Sequence, residues 1–212
     1  MKNRLLLLSL FVSIQAFSQT SNTGNDRFNL GLMGGWSGSN MAFREKPNVD
    51  GKLIGTTIEP GYFAGVSARQ QISRRIATRL EAQYHVRGYR FLDNRNRFSF
   101  LELTPLFEIN VSEQFSIVAG GYWAARLQQR LKAWNETSFK TIDPEVVELT
   151  DANDFGAVAG LNYRWKRFFA LVRYQHGLNS AVDVEYTFTD GSTTSGRQFN
   201  RTVQIGVGYI LL

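Results

Sequence analysis

The chain has 212 residues, a net charge of +6 and no Cys. Without Cys it can form neither a disulfide scaffold nor a thiolate metal site, and no apolar run approaches the ~20 residues of a membrane-spanning helix. Aromatic residues nevertheless make up 13% of the chain, and 19 Gly accompany only 4 Pro, which is unusual for a soluble domain.

The first residues have the layout of a secretory signal peptide. Lys2 and Arg4 precede a short apolar run, and small residues occupy positions −3 and −1 relative to Gln19. We prefer this interpretation to an N-terminal membrane anchor, because the apolar run is too short to span a bilayer. The predicted divisions are a signal peptide, a flexible lead and a β-barrel domain, over residues 1–18, 19–27 and 28–212.

Eight later segments alternate apolar and polar residues with a period of two, which predicts β-strands. The pattern offers no comparable helical stretch. The predicted strands cover residues 28–37, 62–69, 76–87, 101–111, 115–128, 155–165, 168–175 and 203–211.

The links between these segments alternate between short and long. Tight turns are predicted around Ser73-Arg74, 112–114 and Lys166-Arg167, and the longer, polar links cover residues 40–59, 88–97, 131–153 and 179–199. Short periplasmic turns alternate in this way with long extracellular loops in outer-membrane barrels. The sequence therefore predicts an all-β fold, an eight-stranded antiparallel up-and-down transmembrane β-barrel in the bacterial outer membrane, with both termini in the periplasm.

Alternation alone does not say which face of the barrel is interior, and a soluble up-and-down barrel is the alternative. The export signal, the aromatic residues near strand ends and the charged faces of both signs favour the membrane. Rings with polar tips suit membrane interfaces, and the predicted aromatic girdle comprises Trp36, Tyr84, Trp123, Tyr163, Trp165, Phe168 and Tyr209. A narrow lumen requires paired charges, and the predicted ion-pair network comprises Arg69, Arg79, Glu81, Glu102, Glu108, Arg126, Arg130, Arg164 and Arg173.

The predicted lumen is closed. Eight strands leave an interior only wide enough for side chains, so a wide diffusion pore is not expected. We expect the Arg and Glu side chains to form a polar plug, with Gly120, Gly160 and Gly206 making room for it.

Several segments of the chain resemble a family of small outer-membrane barrels from Bacteroidetes that is often called PorT-like. These segments are Gly65-Val66, 80–84, 101–105, 119–122, Phe155-Gly156 with Gly160, and Arg173-Tyr174 with 177–179. The resemblance implies the barrel fold and the outer-membrane location. Leu103 and Thr104 both separate Glu102 from Pro105, where the family usually has one residue, and a β-bulge would accommodate the extra one. The chain ends in Leu212 where such barrels usually end in an aromatic residue.

No catalytic residue is predicted, although one alternative involves His176. A rim hydrolase acting on lipids would require a Ser, a His and an acid together, and Ser180, Asp183 and Glu185 follow His176 in the chain. The sequence contains no nucleophile elbow, so a water-exposed His at a strand end is the preferred interpretation.

No cofactor, metal or nucleic-acid site is predicted either. His85 shares a predicted polar face with Glu81 and Arg87, where structural hydrogen bonding is the expected role. The Gly residues lie inside strands instead of forming a phosphate loop, and the Arg residues are spread over the strands instead of forming one basic stripe. Solvated loop acids are predicted at Asp151, Asp154 and Asp183.

Three functional hypotheses remain. The first is a non-enzymatic barrel with a structural or interaction role through its extracellular loops. The second is an accessory subunit of an envelope secretion or assembly machine, as in the PorT-like family, and the third is the lipid-modifying rim hydrolase. The expected partners are outer-membrane lipid, the barrel-assembly machinery during biogenesis, and envelope proteins that bind loops 40–59, 131–153 and 179–199.

Overall fold

The computed structural model describes nine stretches of the chain, residues 28–43, 48–49, 52–53, 56–91, 94–132, 140–142, 153–179, 182–187 and 193–212. The predicted signal peptide and flexible lead lie outside these stretches. The described strands are β1 (Phe28–Phe43), β2 (Asn48–Val49), β3 (Lys52–Leu53), β4 (Thr57–Gln71), β5 (Ile76–Phe91), β6 (Asn94–Asn110), β7 (Phe115–Lys132), β8 (Lys140–Ile142), β9 (Asn153–Trp165), β10 (Phe168–Gly177), β11 (Val182–Thr187) and β12 (Thr193–Ile210).

Eight of these strands form a closed antiparallel barrel. Its order is β1-β4-β5-β6-β7-β9-β10-β12, and β12 pairs back onto β1 from Gly31 opposite Ile210 to Phe43 opposite Gln198. Closure leaves no exposed edge along the barrel wall. The predicted eight-stranded up-and-down barrel is therefore confirmed. No helix in the described stretches is long and apolar enough to cross a membrane.

At the end of the barrel that carries the long links, the strands are longer than the alternation predicts. β5 and β6 continue through the predicted link 88–97, with Gly88 opposite Arg97 and Phe91 opposite Asn94, so most of that link is a hairpin. Here both faces carry polar residues, which removes the alternation while leaving the backbone pairing intact. The links 40–59, 131–153 and 179–199 are partly strand as well, and apart from Thr56 and Asn179 the rest of each lies outside the described stretches.

The expected bulge beside Glu102 is absent. β6 keeps one register with β7 across Leu103 and Thr104. The register instead shifts between Ser99 and Phe100, where β7 contains one extra residue at Leu127. A bulge turns the strand beyond it. This one lies just beyond Ala125, where the described pairing of β7 with β9 ends.

The barrel wall is apolar outside and polar inside. Phe107 and Val207 are each 66% exposed on the outer surface, whereas Glu81, Glu102 and Glu108 are fully buried in the interior. A soluble barrel has the opposite distribution, because its apolar residues form the core. The soluble-barrel alternative is therefore wrong, and the exposed apolar belt is the surface that a lipid bilayer covers.

The two ends of the barrel differ. Turns 72–75, 111–114 and 166–167 define the short-turn rim. β1 begins and β12 ends at this rim, where Leu30 N donates to Leu212 O and Ile210 N donates to Arg167 O. We call the opposite end, where β1 joins β4 and β10 joins β12, the long-link rim.

Candidate functional site

The interior of the barrel contains a ladder of ion pairs, and its first step lies near the short-turn rim. Glu108 on β6 accepts hydrogen bonds from Arg69 Nε at 2.9 Å and from Arg79 Nη2 at 2.8 Å. Arg164 Nη2 approaches the same carboxylate at 3.4 Å and remains partly exposed. Three guanidinium groups from β4, β5 and β9 thus share one buried carboxylate, which brings four predicted network residues together.

The next step crosses the middle of the lumen. Arg173 on β10 donates from both terminal nitrogens to the two carboxylate oxygens of Glu81 on β5, and Nη2 lies 2.8 Å from Oε1. Arg79 Nη1 is 3.9 Å from Glu81 Oε1 and so links this pair to Glu108. The bidentate geometry matches the planar fork of guanidinium to the carboxylate.

Glu102 is the centre of a third step. Its carboxylate accepts hydrogen bonds from Gln83 at 2.5 Å and from Gln175 at 2.6 Å, and lies 3.2 Å from His85 Nδ1. Arg87 Nη1 is 3.5 Å away. The expected hydrogen-bonding role of His85 is thus directed to Glu102, which lies on the neighbouring strand.

Asp154 forms the fourth step, closer to the long-link rim. Its Oδ2 atom lies 2.8 Å from Arg87 Nη2 and accepts hydrogen bonds from the Tyr122 hydroxyl at 3.1 Å and from Asn200 Nδ2 at 2.8 Å. The Arg87 guanidinium also stacks over the Phe100 ring at 4.3 Å. The prediction that Asp154 is a solvated loop acid is wrong, because β9 begins one residue earlier and directs this side chain inward.

Glu59 forms the last step at the long-link rim. This buried carboxylate receives a hydrogen bond from Arg97 Nε at 2.9 Å, and its ion-pair distances are 2.8 Å to Arg97 Nη2 and 3.7 Å to Arg90 Nη2. Both Arg side chains are about one-third exposed. Sequence reasoning missed this cluster, because all three residues fall within the predicted links.

Six of the nine predicted network residues are buried among these ion pairs, and Arg164 is partly buried beside them. Arg126 and Arg130 are placed differently. Arg126 lies 6.0 Å from the Phe98 ring, and the exposed Arg130 donates to Gln128 Oε1 at 3.1 Å. Arg130 lies beyond the extra residue in β7, so the alternation that predicted its direction no longer holds there. Arg126 precedes that residue and keeps its predicted inward direction, lining a small cavity with Phe98 and Asp154.

Apolar side chains close the lumen between the charged steps. Met33, Phe63, Phe169 and Leu171 form one buried cluster. Gly206 makes room for it, since a Cβ at this position would lie 2.6 Å from Phe63 Cζ. The predicted space around Gly206 therefore accommodates an aromatic ring rather than an ion pair. A second cluster, closer to the long-link rim, includes Met41, Phe98, Phe100, Leu106, Val118, Tyr122, Ala124 and Val158.

All seven predicted girdle residues are exposed on the outside of the barrel. Two contacts group the rings near the short-turn rim: Phe115 with Tyr163 at 4.8 Å and Phe168 with Tyr209 at 5.2 Å between ring centroids. Trp36, Tyr84 and Trp123 lie near the middle of their strands, farther from the short-turn rim. Sequence reasoning missed Phe115, although it begins a predicted strand next to a tight turn.

The residues considered for catalysis and metal binding are not brought together in the described stretches. His176 stacks on Tyr174 with ring centroids 6.3 Å apart, and its Nδ1 is 3.4 Å from the Tyr174 hydroxyl. Ser180 and the side chains of Asp183 and Glu185 lie outside the description. Among the described residues, no group of three or more His, Asp or Glu could hold a metal ion.

The sequence profile of a family described as outer membrane protein beta-barrel domain matches residues 17–183. The chain is also similar to the solved structure of the attachment invasion locus protein Ail of Yersinia pestis, with 12% identity over 87% of this chain and 99% of that chain and a TM-score of 0.46. Neisserial surface protein A has 11% identity, coverage of 88% and 99%, and a TM-score of 0.48. OprG of Pseudomonas aeruginosa has 12% identity, coverage of 89% and 98%, and a TM-score of 0.44. No curated protein matches the chain.

Proposed function

Because the chain belongs to the outer membrane protein beta-barrel domain family, we propose that this outer-membrane barrel is a non-enzymatic anchor whose long-link rim binds a protein partner outside the cell. The short-turn rim and both ends of the barrel domain then face the periplasm. This orientation follows the general layout of outer-membrane barrels, in which the short turns are periplasmic.

The observation that carries the proposal is the length of the strands. A tilted strand crosses a bilayer in about 9–11 residues, whereas β6, β7 and β12 contain 17, 18 and 18 residues. The lipid-exposed apolar residues extend from Leu101 to Ile109 on β6 and from Phe115 to Leu127 on β7, so the excess length of these two strands lies at the long-link rim. The protein therefore extends a sheet beyond the membrane, well past what spanning requires.

Two further strands widen this projecting sheet. β8 pairs with β7, and β11 pairs with β12 from Val182 opposite Gln198 to Thr187 opposite Thr193. Within the described stretches each has a single strand partner. A strand edge of this kind can receive an extended segment of another protein through main-chain hydrogen bonds, which is the mode of binding we propose.

The closed lumen supports a binding role over a transport role. Five buried carboxylates are paired with Arg or His along the interior, and two apolar clusters lie between them. A route for solutes would require these pairs to separate, which is costly in a desolvated interior.

Shortening the β11–β12 hairpin tests the proposal. A variant in which 184–196 is replaced by a two-residue Asn-Gly turn, which joins the paired positions 183 and 197, should lose partners that are cross-linked to the wild-type barrel on intact cells. A matched control shortens the β5–β6 hairpin instead, by replacing 91–94 with the same Asn-Gly turn, and should keep those partners. Heat-modifiable gel mobility confirms that each variant is folded. Unchanged cross-linking in the first variant would contradict the proposal.

The nature of the captured partner separates the first hypothesis from the second. A protein from outside the cell supports the adhesive role. A stable envelope complex recovered in mild detergent would instead support an accessory subunit of the PorT-like type. The hydrolase hypothesis predicts altered membrane lipids in a deletion strain, and unchanged lipids would exclude it.

A further inference from the structure

The short-turn rim carries an excess of exposed positive charge. Its turns contain Arg74, Arg75, Lys166 and Arg167, all exposed, against one carboxylate at Glu113. Exposed cations next to a membrane interface attract anionic headgroups. The β4–β5 turn and the β9–β10 turn each contain two exposed cations, but the side chains around the two turns differ.

Both cations of the β9–β10 turn lie against aromatic side chains. Lys166 Nζ is 5.2 Å from the centroid of the Trp165 ring, and the Arg167 side chain lies close to the Tyr209 hydroxyl, which raises the pKa of Arg167. Lys166 adopts a left-handed backbone conformation with φ of 55°. This tight conformation brings the two adjacent side chains against rings on either side of the turn.

These rings are part of a row that crosses four neighbouring strands. Phe168 lies opposite Trp165 on one side and opposite Tyr209 on the other, and Phe115 lies opposite Tyr163. All five rings are exposed on the lipid-facing surface. Amphipathic rings of this kind lie at headgroup depth in a bilayer, so Lys166 and Arg167 lie at the depth of the phosphates.

The turn is held in place by backbone hydrogen bonds. Ile210 N donates to Arg167 O at 2.7 Å, and Arg164 N donates to Gln114 O at 2.8 Å. The turn is thereby connected to the last strand and to the neighbouring turn. A preorganised site loses less conformational entropy when a ligand binds.

We propose that Lys166 and Arg167 bind the phosphate of an anionic phospholipid, while Trp165, Phe168 and Tyr209 contact its glycerol and upper acyl chains. A phospholipid fits better than a soluble anion or a cell-wall polymer, because the cations are continuous with rings that face the lipid. The β4–β5 turn has the same two charges, and the exposed apolar side chains that flank it, Ile72 and Ile76, are aliphatic. It therefore provides a control for charge without an aromatic row.

The test compares two double variants of the full-length protein isolated from membranes in mild detergent. K166N/R167Q removes both charges, and Asn tolerates the left-handed conformation at position 166. R74Q/R75Q removes the same charge from the β4–β5 turn. Bound phosphatidylglycerol and phosphatidylethanolamine are counted by native mass spectrometry during titration with each lipid, and heat-modifiable mobility shows that each variant is folded.

We expect the wild-type protein to bind phosphatidylglycerol on the order of tenfold more tightly than phosphatidylethanolamine. This preference should be lost in K166N/R167Q and retained in R74Q/R75Q. The proposal is overturned if K166N/R167Q keeps the preference, or if both variants lose it equally, since the latter indicates a diffuse charge effect. It is also overturned if the wild-type protein shows no lipid preference but co-sediments with purified peptidoglycan in a manner that requires Lys166 and Arg167.

Discussion

Arg173 on β10 and Glu81 on β5 form a bidentate ion pair across the full width of the barrel, with 2.8 Å between Nη2 and Oε1. In the ring of eight strands, β5 and β10 are separated by three strands on either side. The pair therefore connects opposite walls, and both side chains are buried. Removing Arg173 would leave the buried Glu81 carboxylate with only the 3.9 Å contact to Arg79, which already pairs with Glu108.

Replacing one member of this pair should destabilise the barrel strongly. We expect Arg173→Leu to lower the free energy of unfolding by about 3–5 kcal/mol, because Glu81 would remain charged in the interior. The double variant R173L/E81L should recover most of that loss, since neither charge is then buried. Urea unfolding of the protein folded into lipid vesicles measures both effects. A double variant as unstable as the single one would show that the loss of stability comes from packing and not from the unpaired charge.

A second prediction concerns the close packing around Gly206. A Cβ at this position would meet Phe63 Cζ at 2.6 Å and Gly34 O at 2.7 Å. Gly206→Ala should therefore cost about 1–3 kcal/mol of stability through overpacking. Gly121→Ala is the matched control, because its Cβ would meet only Gly156 O at 3.3 Å among the described atoms. Equal effects of the two substitutions in the same vesicle assay would contradict the close fit around Phe63.

The alternation of apolar and polar residues was sufficient to predict the barrel and much of its interior. Glu81, Glu102 and Glu108 follow the period of two, so their common face could be identified without a structure. The pairing of Arg173 with Glu81 could not be identified, because it depends on the tilt and stagger of strands that are distant in sequence. The side of a strand that a residue faces can be predicted from its neighbours in sequence, whereas a contact across the lumen depends on distant strands.

The errors occur where the period of two fails. Glu59 lies where the register of β4 shifts between Ile58 and Tyr62, and Asp154 precedes the first apolar residue of β9. Both were therefore assigned to loops, although both are buried. Arg130 lies beyond Leu127, the extra residue of β7. A bulge changes the facing of every residue beyond it, and the sequence around Leu127 contains no Gly or Pro that would mark it.

The lipid-facing surface can be tested with one charge. Leu161 lies on β9 between the exposed rings of Phe155 and Trp165, and its side chain is 55% exposed. Leu161→Arg should cost about 2–4 kcal/mol in vesicles, because the charge would lie near the bilayer midplane. Ile72→Arg, in the β4–β5 turn, should cost at most about 1 kcal/mol, since position 72 is close to the interface. The same small cost at both positions would indicate that no bilayer surrounds the belt.

The proposed orientation can be tested because the chain has no Cys, so a single introduced thiol reports its own position. Ser73→Cys and Ser112→Cys lie in exposed short turns, and Arg95→Cys lies in the β5–β6 hairpin at the opposite rim. We expect a membrane-impermeant maleimide to label only the Arg95→Cys variant on intact cells, and all three variants once the outer membrane is permeabilised. Labelling of Ser73→Cys or Ser112→Cys on intact cells would contradict the proposed orientation. The phospholipid site at Lys166 and Arg167 would then lie in the outer leaflet.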